Sequence, residues 1–220
     1  MKKNNLSLDR FLFDDRIRTD NRLSFIAGFD EAGRGPLAGP VSCAGVVLRP
    51  DFKDPRINDS KKLTDKERRE LAIEIKKEAL CYSVLLIPVE VIDKINILEA
   101  DRKGMEEALG EILKKQEVDY IITDYMKLHT TIPLLSIPKG DATSQSVSAA
   151  SILAKITRDD YMMELDKKYP EYGFGKNKGY GTKMHLEAIQ KYGPIQGVHR
   201  MTFEPIKSMV SGEIQETLFE

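Results

Sequence analysis

The chain has 220 residues, 41% of them hydrophobic, which is enough for one domain with its own core. Its 34 basic and 35 acidic residues leave a formal charge of -1, so bulk charge points to no partner and only local charge can. The N-terminus is too charged for a signal peptide, no apolar run approaches the ~18 residues of a membrane span, and Cys43 and Cys81 form no CxxC pattern. A soluble, monomeric cytoplasmic protein with no membrane contact is expected, its cysteines buried as small hydrophobes.

Residues 1–23 are read as an N-terminal extension. SFIAGFD (24–30) is short, apolar and ends on a turn signal, which predicts a strand. VSCAGVVL (41–48), between Pro40 and Pro50, predicts a second strand paired with the first as in a hairpin. Residues 63–80 predict a helix: Leu63, Leu71, Ile75 and Leu80 keep a near-3.6 period, and Thr64 with Glu67 forms a capping box. CYSVLLIPV (81–89) predicts a third strand, 97–115 a helix, and 118–123 and 132–138 two more strands. Residues 144–169 predict a long helix whose start is all small: Ser144, Ser146, Ser148, Ala149, Ala150 and Ser151. Such a helix can approach a sheet or a substrate closely. A last helix over 183–193 stops at Gly193. The pattern predicts an α/β fold with a central mixed five-stranded sheet flanked by helices and a helical C-terminal cap. The domain is placed at 24–205 and a C-terminal tail at 206–220.

Four acids stand out. Asp30 and Glu31 are adjacent at the end of the first strand, Asp124 follows the apolar strand YIIT, and Asp141 follows Gly140 and opens the long helix. Carboxyl ends of strands are where open α/β sheets gather catalytic groups. Taken alone, Asp141 reads as a helix cap, and Asp124 equally as an ordinary loop acid. The Asp30–Glu31 pair is harder to dismiss. Two like charges ~4 Å apart repel by on the order of 4 kcal/mol at an effective dielectric of 20, and a divalent cation removes that cost. Oxygen-only ligands favour Mg²⁺ or Mn²⁺, and no Cys/His cluster offers itself to zinc. In a regular strand, however, Asp30 and Glu31 face opposite sides; they share a target only if the strand breaks at Asp30, which Gly33 and Gly35 would allow.

The glycine loop that follows is no phosphate cradle. GFDEAGRG (28–35) has GxxxxG spacing, but Arg34 and Gly35 replace the Lys and Ser/Thr of a P-loop, and two acids would sit inside it. A GxGxxG match fails by one residue at Gly39. The remaining use of these glycines is close main-chain contact with a ligand, such as a nucleic-acid strand at its sugar. Toward the C-terminus, Lys176, Lys178 and Lys183 surround Tyr180, which lies between two glycines. That setting suits stacking on a base or sugar and equally a ring packed on the core. Lys61 and Lys62 form a second cationic point; His185 and His199 read as structural histidines.

GFDEAGRGPLAGPV, DSKKL, KGDATSQSVSAASILAKITRD and GYGTKMHLEAIQKYGP with HRMTF resemble ribonuclease HII, the type 2 ribonuclease H of bacteria and archaea, over roughly residues 24–205. The resemblance implies a ribonuclease H-like fold and an endoribonuclease that cleaves RNA in RNA/DNA hybrids. It also implies incision 5′ to single ribonucleotides in duplex DNA, leaving 3′-OH and 5′-phosphate. The family's acidic quartet falls on Asp30, Glu31, Asp124 and Asp141, with Asp30 bridging two divalent ions ~3.5–4 Å apart. Its glycine–arginine–glycine motif falls on Gly33, Arg34 and Gly35, whose backbone reads the 2′-OH, and its substrate-sensing tyrosine on Tyr180. Lys61 is a further expected substrate contact. Tyr125 departs from the small residue the family carries after its third aspartate. The sister family, ribonuclease HIII, ends its quartet in Glu where this chain has Asp141. A noncatalytic hybrid-binding module and a DNA-specific nuclease of the same fold are the rival classes. Finally, QETLF (215–219) resembles the peptides by which replication proteins dock on a sliding clamp, through Gln215, Leu218 and Phe219.

Overall fold

The fold is that of a computed structural model, which describes residues 5–58 and 60–211 apart from the side chains of 5–9, 11 and 61. In chain order its main elements are α1 (Asn5–Asn21), β1 (Ile26–Ala32), β2 (Val41–Leu48), α2 (Asp65–Glu78), β3 (Ala79–Ile87), α3 (Val89–Ile95) and α4 (Ile97–Leu113). Then follow β4 (Tyr120–Asp124), β5 (Leu134–Ile137), α5 (Gly140–Thr143), α6 (Gln145–Lys168), α7 (Phe174–Asn177), α8 (Lys183–Tyr192) and α9 (Ile206–Ser211). The five strands form one mixed sheet in the order β3-β2-β1-β4-β5. β1 is antiparallel to β2 and parallel to β4, and β4 is parallel to β5.

β2 is buried along its whole length, and its alternation shows why. Cys43 and Val47 join a core with Phe29, Met105, Ile112 and Ile121 on the α4 side. Ala44, Val46 and Leu48 join a second core with Leu71, Ile75, Ala150 and Leu153 on the α2 and α6 side. A third cluster, including Leu37, Met162, Tyr172, Phe174 and Ile189, holds the C-terminal helices against α6. Local signals do what their chemistry dictates. Thr64 accepts from the Glu67 N–H while Glu67 reaches back to the Thr64 N–H, closing the expected capping box on α2. Gly193 ends α8 at φ +81°.

The small residues at the start of α6 have a use. A Cβ at Gly28 of β1 would come within 2.2 Å of the Ser146 carbonyl carbon, so helix and strand touch backbone to backbone. This contact seats α6 directly beneath the strand that carries Asp30. The N-terminal segment, read as an extension, packs on the same helix. It forms α1, whose Asp14 accepts hydrogen bonds from the Ser146 N–H at 3.0 Å and the Ser146 hydroxyl at 2.8 Å. Phe13 and Ile17 pack beside Ile26, Ile122 and Val147. Asp14 thereby satisfies an orphan donor in the first turn of α6 from another element.

Candidate active site

β1 and β4 run parallel and in register as far as Phe29 opposite Thr123. The next residue on each strand is an acid, so the ladder itself brings Asp30 and Asp124 to adjoining strand ends. Asp141 arrives from α5, just beyond β5. Gly140 presses that turn against β4: its N–H donates to Asp124 Oδ1 at 3.0 Å, and a Cβ there would meet Asp124 Cα and the Thr123 carbonyl at 3.2 Å. Carboxylate oxygens of Asp30, Asp124 and Asp141 lie within 4.8 Å of one another, with Asp30 and Asp141 buried. Asp141 is not the cap of the long helix. That place belongs to Ser144, whose hydroxyl accepts from the Val147 N–H at 3.3 Å, while Asp141 occupies the separate turn α5.

Glu31 is not one of these three, but it lines the same cleft as Asp30 and Asp124. β1 does not break at Asp30, because pairing with β2 continues through Asp30 opposite Ala44, Glu31 opposite Cys43 and Ala32 opposite Ser42. Strand alternation therefore starts the neighbours on opposite faces, yet at the strand end both side chains line the same cleft and act on each other. Asp30 turns toward α6, where Ser151 lines the cleft beside it and lowers its pKa against the effect of burial. Glu31 turns toward α4, where it feels the charge of Asp101. Asp124, at the strand end, acts on both carboxylates.

Sequence reasoning did not single out Asp101, which is fully buried on α4. Burial pushes the Asp101 carboxyl up, against the pull of Arg34. Burial likewise raises Asp30 well above the usual carboxylate range, with the charge of Glu31 adding to it. Glu31 is raised by burial first and by Asp101 second. Arg34 Nη1 is 3.8 Å from Glu31 Oε1 and its Nε 3.5 Å from Asp101 Oδ2, so this guanidinium serves the acids. Even so, Glu31 Oε2 and Asp101 Oδ2 are buried with no hydrogen-bond partner. Uncompensated buried charge and an all-oxygen donor set fit a hard divalent cation.

The cleft over these acids is lined by Asp30, Glu31, the Gly33–Gly35 turn, Ser60, Asp124, Ser151, Lys155, Arg158 and Tyr180. Ser151, Lys155 and Arg158 follow i, i+4, i+7 spacing on α6; the helical period, read for polar rather than apolar residues, would have found them. Ser60 bonds Ser151 hydroxyl to hydroxyl at 3.0 Å, and Lys155 is paired with Asp159 at 2.6 Å. Lys61 lies in the turn Ser60–Lys62, with its side chain outside those described. Tyr180 is 48% exposed, and a Cβ at Gly35 would sit 3.7 Å from its ring. Of the two readings left open, the ring faces the glycine turn and solvent rather than the core.

Two buried arginines build the Gly33–Pro40 loop. Arg158 donates to the carbonyls of Pro40 (2.9 Å), Ala38 (3.0 Å) and Lys178 (2.9 Å). Arg200 donates to those of Gly33 (2.6 Å), Arg34 (2.9 Å) and Gly39 (2.9 Å). Both guanidiniums are essentially inaccessible, and burial lowers both pKa values, that of Arg200 to about 9 with the charge of Arg158 contributing. Gly33, at φ +100°, has no room for a Cβ: the atom would fall 2.0 Å from Arg158 Nε. The loop's carbonyls are thus held from within by cations. Arg158 and Arg200 sat inside quoted motifs yet carried no signal of burial in the sequence.

Fold and site together define an α/β protein that holds oxygen ligands for hard cations where two parallel strands end, beside a cleft edged by main chain and one exposed tyrosine. The family model described as ribonuclease HII matches residues 27–206. A ribonuclease HII of Bacillus cytotoxicus is 50% identical over 207 residues, spanning 94% of this chain and 78% of the relative. Among solved structures, ribonuclease H2 from Pyrococcus horikoshii aligns with a TM-score of 0.72 at 27% identity, covering 86% of this chain and 98% of that one. Ribonuclease HII of Archaeoglobus fulgidus, solved in complex with PCNA, aligns at 0.63 and 26% identity, covering 87% and 91%. The chain belongs to the ribonuclease HII family and is a ribonuclease H endonuclease, a hydrolase that cleaves RNA in RNA/DNA hybrids. Among the described residues, no helix is long and apolar enough to cross a membrane.

Proposed function

We propose that Asp30, Asp124 and Asp141 hold Mg²⁺ or Mn²⁺ directly, that Glu31 completes the quartet from the neighbouring face, and that two ions act together. We propose further that the enzyme incises 5′ to a single ribonucleotide in duplex DNA, leaving 3′-OH and 5′-phosphate ends. The observation that carries this is the meeting of three carboxylates within 4.8 Å beside the Gly33–Gly35 turn. Divalent cations bound there supply Lewis-acid activation of water and stabilisation of the leaving 3′-oxygen. The chain's own residues do the rest. The backbone of Gly33, Arg34 and Gly35 reads the 2′-OH, the one group that tells RNA from DNA at a site. Tyr180 packs on the following sugar, Lys61 and Lys155 favour the phosphate backbone, and Asp101 with Arg34 sets the charge beside Glu31.

Asp30→Asn tests the reading: cleavage of a duplex with one ribonucleotide falls at least about a thousandfold with either metal. Wild-type rates in that variant would overturn it. Replacing the one ribonucleotide by a deoxyribonucleotide abolishes cleavage, whereas a DNA-specific nuclease would still cut and a noncatalytic binding module would cut neither.

Gln215, Leu218 and Phe219 lie outside the described residues. The archaeal relative in complex with PCNA supports a clamp partner for this chain, with the tail as the docking peptide. Deletion of residues 215–220 then removes clamp binding and leaves cleavage intact.

A further inference from the structure

Behind Tyr180 lie two histidines that the site does not use. His185 and His199 are both fully buried, with Nε2 atoms 3.1 Å apart. Their tautomers follow from their other partners. The Ile195 N–H donates to His199 Nδ1 at 2.9 Å, so that nitrogen is an acceptor and the proton of His199 is on Nε2. His185 Nδ1 faces the Tyr180 carbonyl at 2.9 Å; a carbonyl only accepts, so the proton of His185 is on Nδ1 and its Nε2 accepts. Both ends impose one direction on the middle bond, from His199 Nε2–H to His185 Nε2. Burial lowers the pKa of both rings, that of His199 to about 4 with His185 contributing, which keeps the pair neutral.

Aromatic rings pack against both imidazoles. The Tyr172 ring lies 5.1 Å from His199, and Phe174 meets His185 edge-on at 5.3 Å. Both ends of the chain also touch the glycine loop. The Gly179 carbonyl accepts from the Leu37 N–H, and the main chain around His199 pairs with Leu37–Gly39 through Gly39 N–H to Val198 O and Arg200 N–H to Leu37 O, all at 2.8 Å.

We propose that His185 and His199 are positioning residues for Tyr180: a buried one-way hydrogen-bond chain from Ile195 through both imidazoles fixes the Tyr180 carbonyl, and with it the ring against the Gly33–Gly35 turn. The chain thereby sets how strongly the enzyme favours a single embedded ribonucleotide. This rests on the reading of Tyr180 as the group that packs on the sugar.

The test compares wild type, Tyr180→Ala, His185→Phe, His185→Asn and His185→Gln on a duplex with one ribonucleotide and on an all-RNA/DNA hybrid. His185→Phe lowers the ratio of the two rates about tenfold, the weight of one buried hydrogen bond. Asn can place a donor where Nδ1 stood and recovers most of that loss; Gln reaches only toward His199 and does not. If Tyr180→Ala leaves the ratio unchanged, the reading of Tyr180 itself is wrong. If Tyr180→Ala lowers the ratio while His185→Phe does not, the histidine chain alone is refuted. Should His185→Phe not fold, the Asn and Gln pair still decides, since equal ratios in both overturn the proposal. In ¹⁵N spectra of the wild-type protein, His185 shows the Nδ1–H form and His199 the Nε2–H form; either ring in the other form, or in exchange between both, also overturns it.

Discussion

Tyr125 directly follows Asp124, one of the clustered aspartates, and its backbone explains how a bulky residue is tolerated there. It sits at φ +60° with its N–H on the Ile137 carbonyl at 3.0 Å, and its side chain is 74% exposed. Tyr125 is not among the residues that line the cleft, and Asp124 keeps its bond from Gly140. What remains is the left-handed backbone, which costs a non-glycine residue roughly 1 kcal/mol. Tyr125→Gly is accordingly expected to raise stability by roughly 0.5 kcal/mol, with activity within about twofold of wild type. Denaturant melts and a rate measurement check this; a large loss of activity would mean that the tyrosine itself serves the site. The positive φ at Tyr125 was invisible in the sequence, because a tyrosine there announces neither a turn nor its exposure.

At the scale of elements, the site depends on how closely α6 lies on β1. The contact at Gly28 has no room for even a methyl group, since the Ser146 carbonyl carbon would be 2.2 Å away. Gly28→Ala must push the helix off the strand that carries Asp30. The expected cost is about 2–3 kcal/mol, a fall in Tm of roughly 5–10 °C. The displacement also moves Ser151 from Asp30 and α6 from the cleft, so activity falls by more than the melt alone accounts for. Thermal denaturation and assay well below Tm separate the two effects. The small residues of 144–151 foretold close approach, but not its target. That α1 docks on the same helix through Asp14 was not foreseen, because amphipathic signals are weak there and one aspartate among several carries no mark of burial.

At the scale of the molecule, the buried acids are a local instability that a bound cation would relieve. Burial raises the carboxyls of Asp30, Glu31 and Asp101, so the folded state holds their protons at pH values where the unfolded chain has released them. Stability of the metal-free protein from these groups is full below the unfolded carboxylate range and declines as pH rises through their elevated values. Mn²⁺ at ten times its Kd contributes about 1.4 kcal/mol, a rise in Tm of roughly 3–5 °C. At a fixed Mn²⁺ concentration the rise grows with pH, because a proton competes with the cation for each carboxylate and raises the apparent Kd. Calorimetry with and without chelator at pH 6 and pH 8 checks this, with Asp30→Asn as the variant expected to lose most of the shift.

Much of the protein was legible from its residues alone. The period of two in β2, the capping box on α2, the stop at Gly193 and acids at strand ends are local properties, dictated by backbone geometry and by which side chains can satisfy it. The motifs likewise named the family and the acids. Tertiary structure decided what local pattern cannot carry: which carboxylates meet. Asp30 and Glu31 leave a strand kept regular through Ala32 on opposite sides, and only the closing of the cleft over the strand end brings both to it. Asp124 and Asp141, remote in sequence, join Asp30 because β1 and β4 run parallel and in register and Gly140 lets the next turn press against them. The same holds for Arg158, Arg200 and Asp101, whose partners lie far along the chain, and for the two histidines, which meet only once the C-terminal segment has folded. Burial is a property of the assembled layers, and a buried charge or imidazole shows its purpose only once the groups around it are in place.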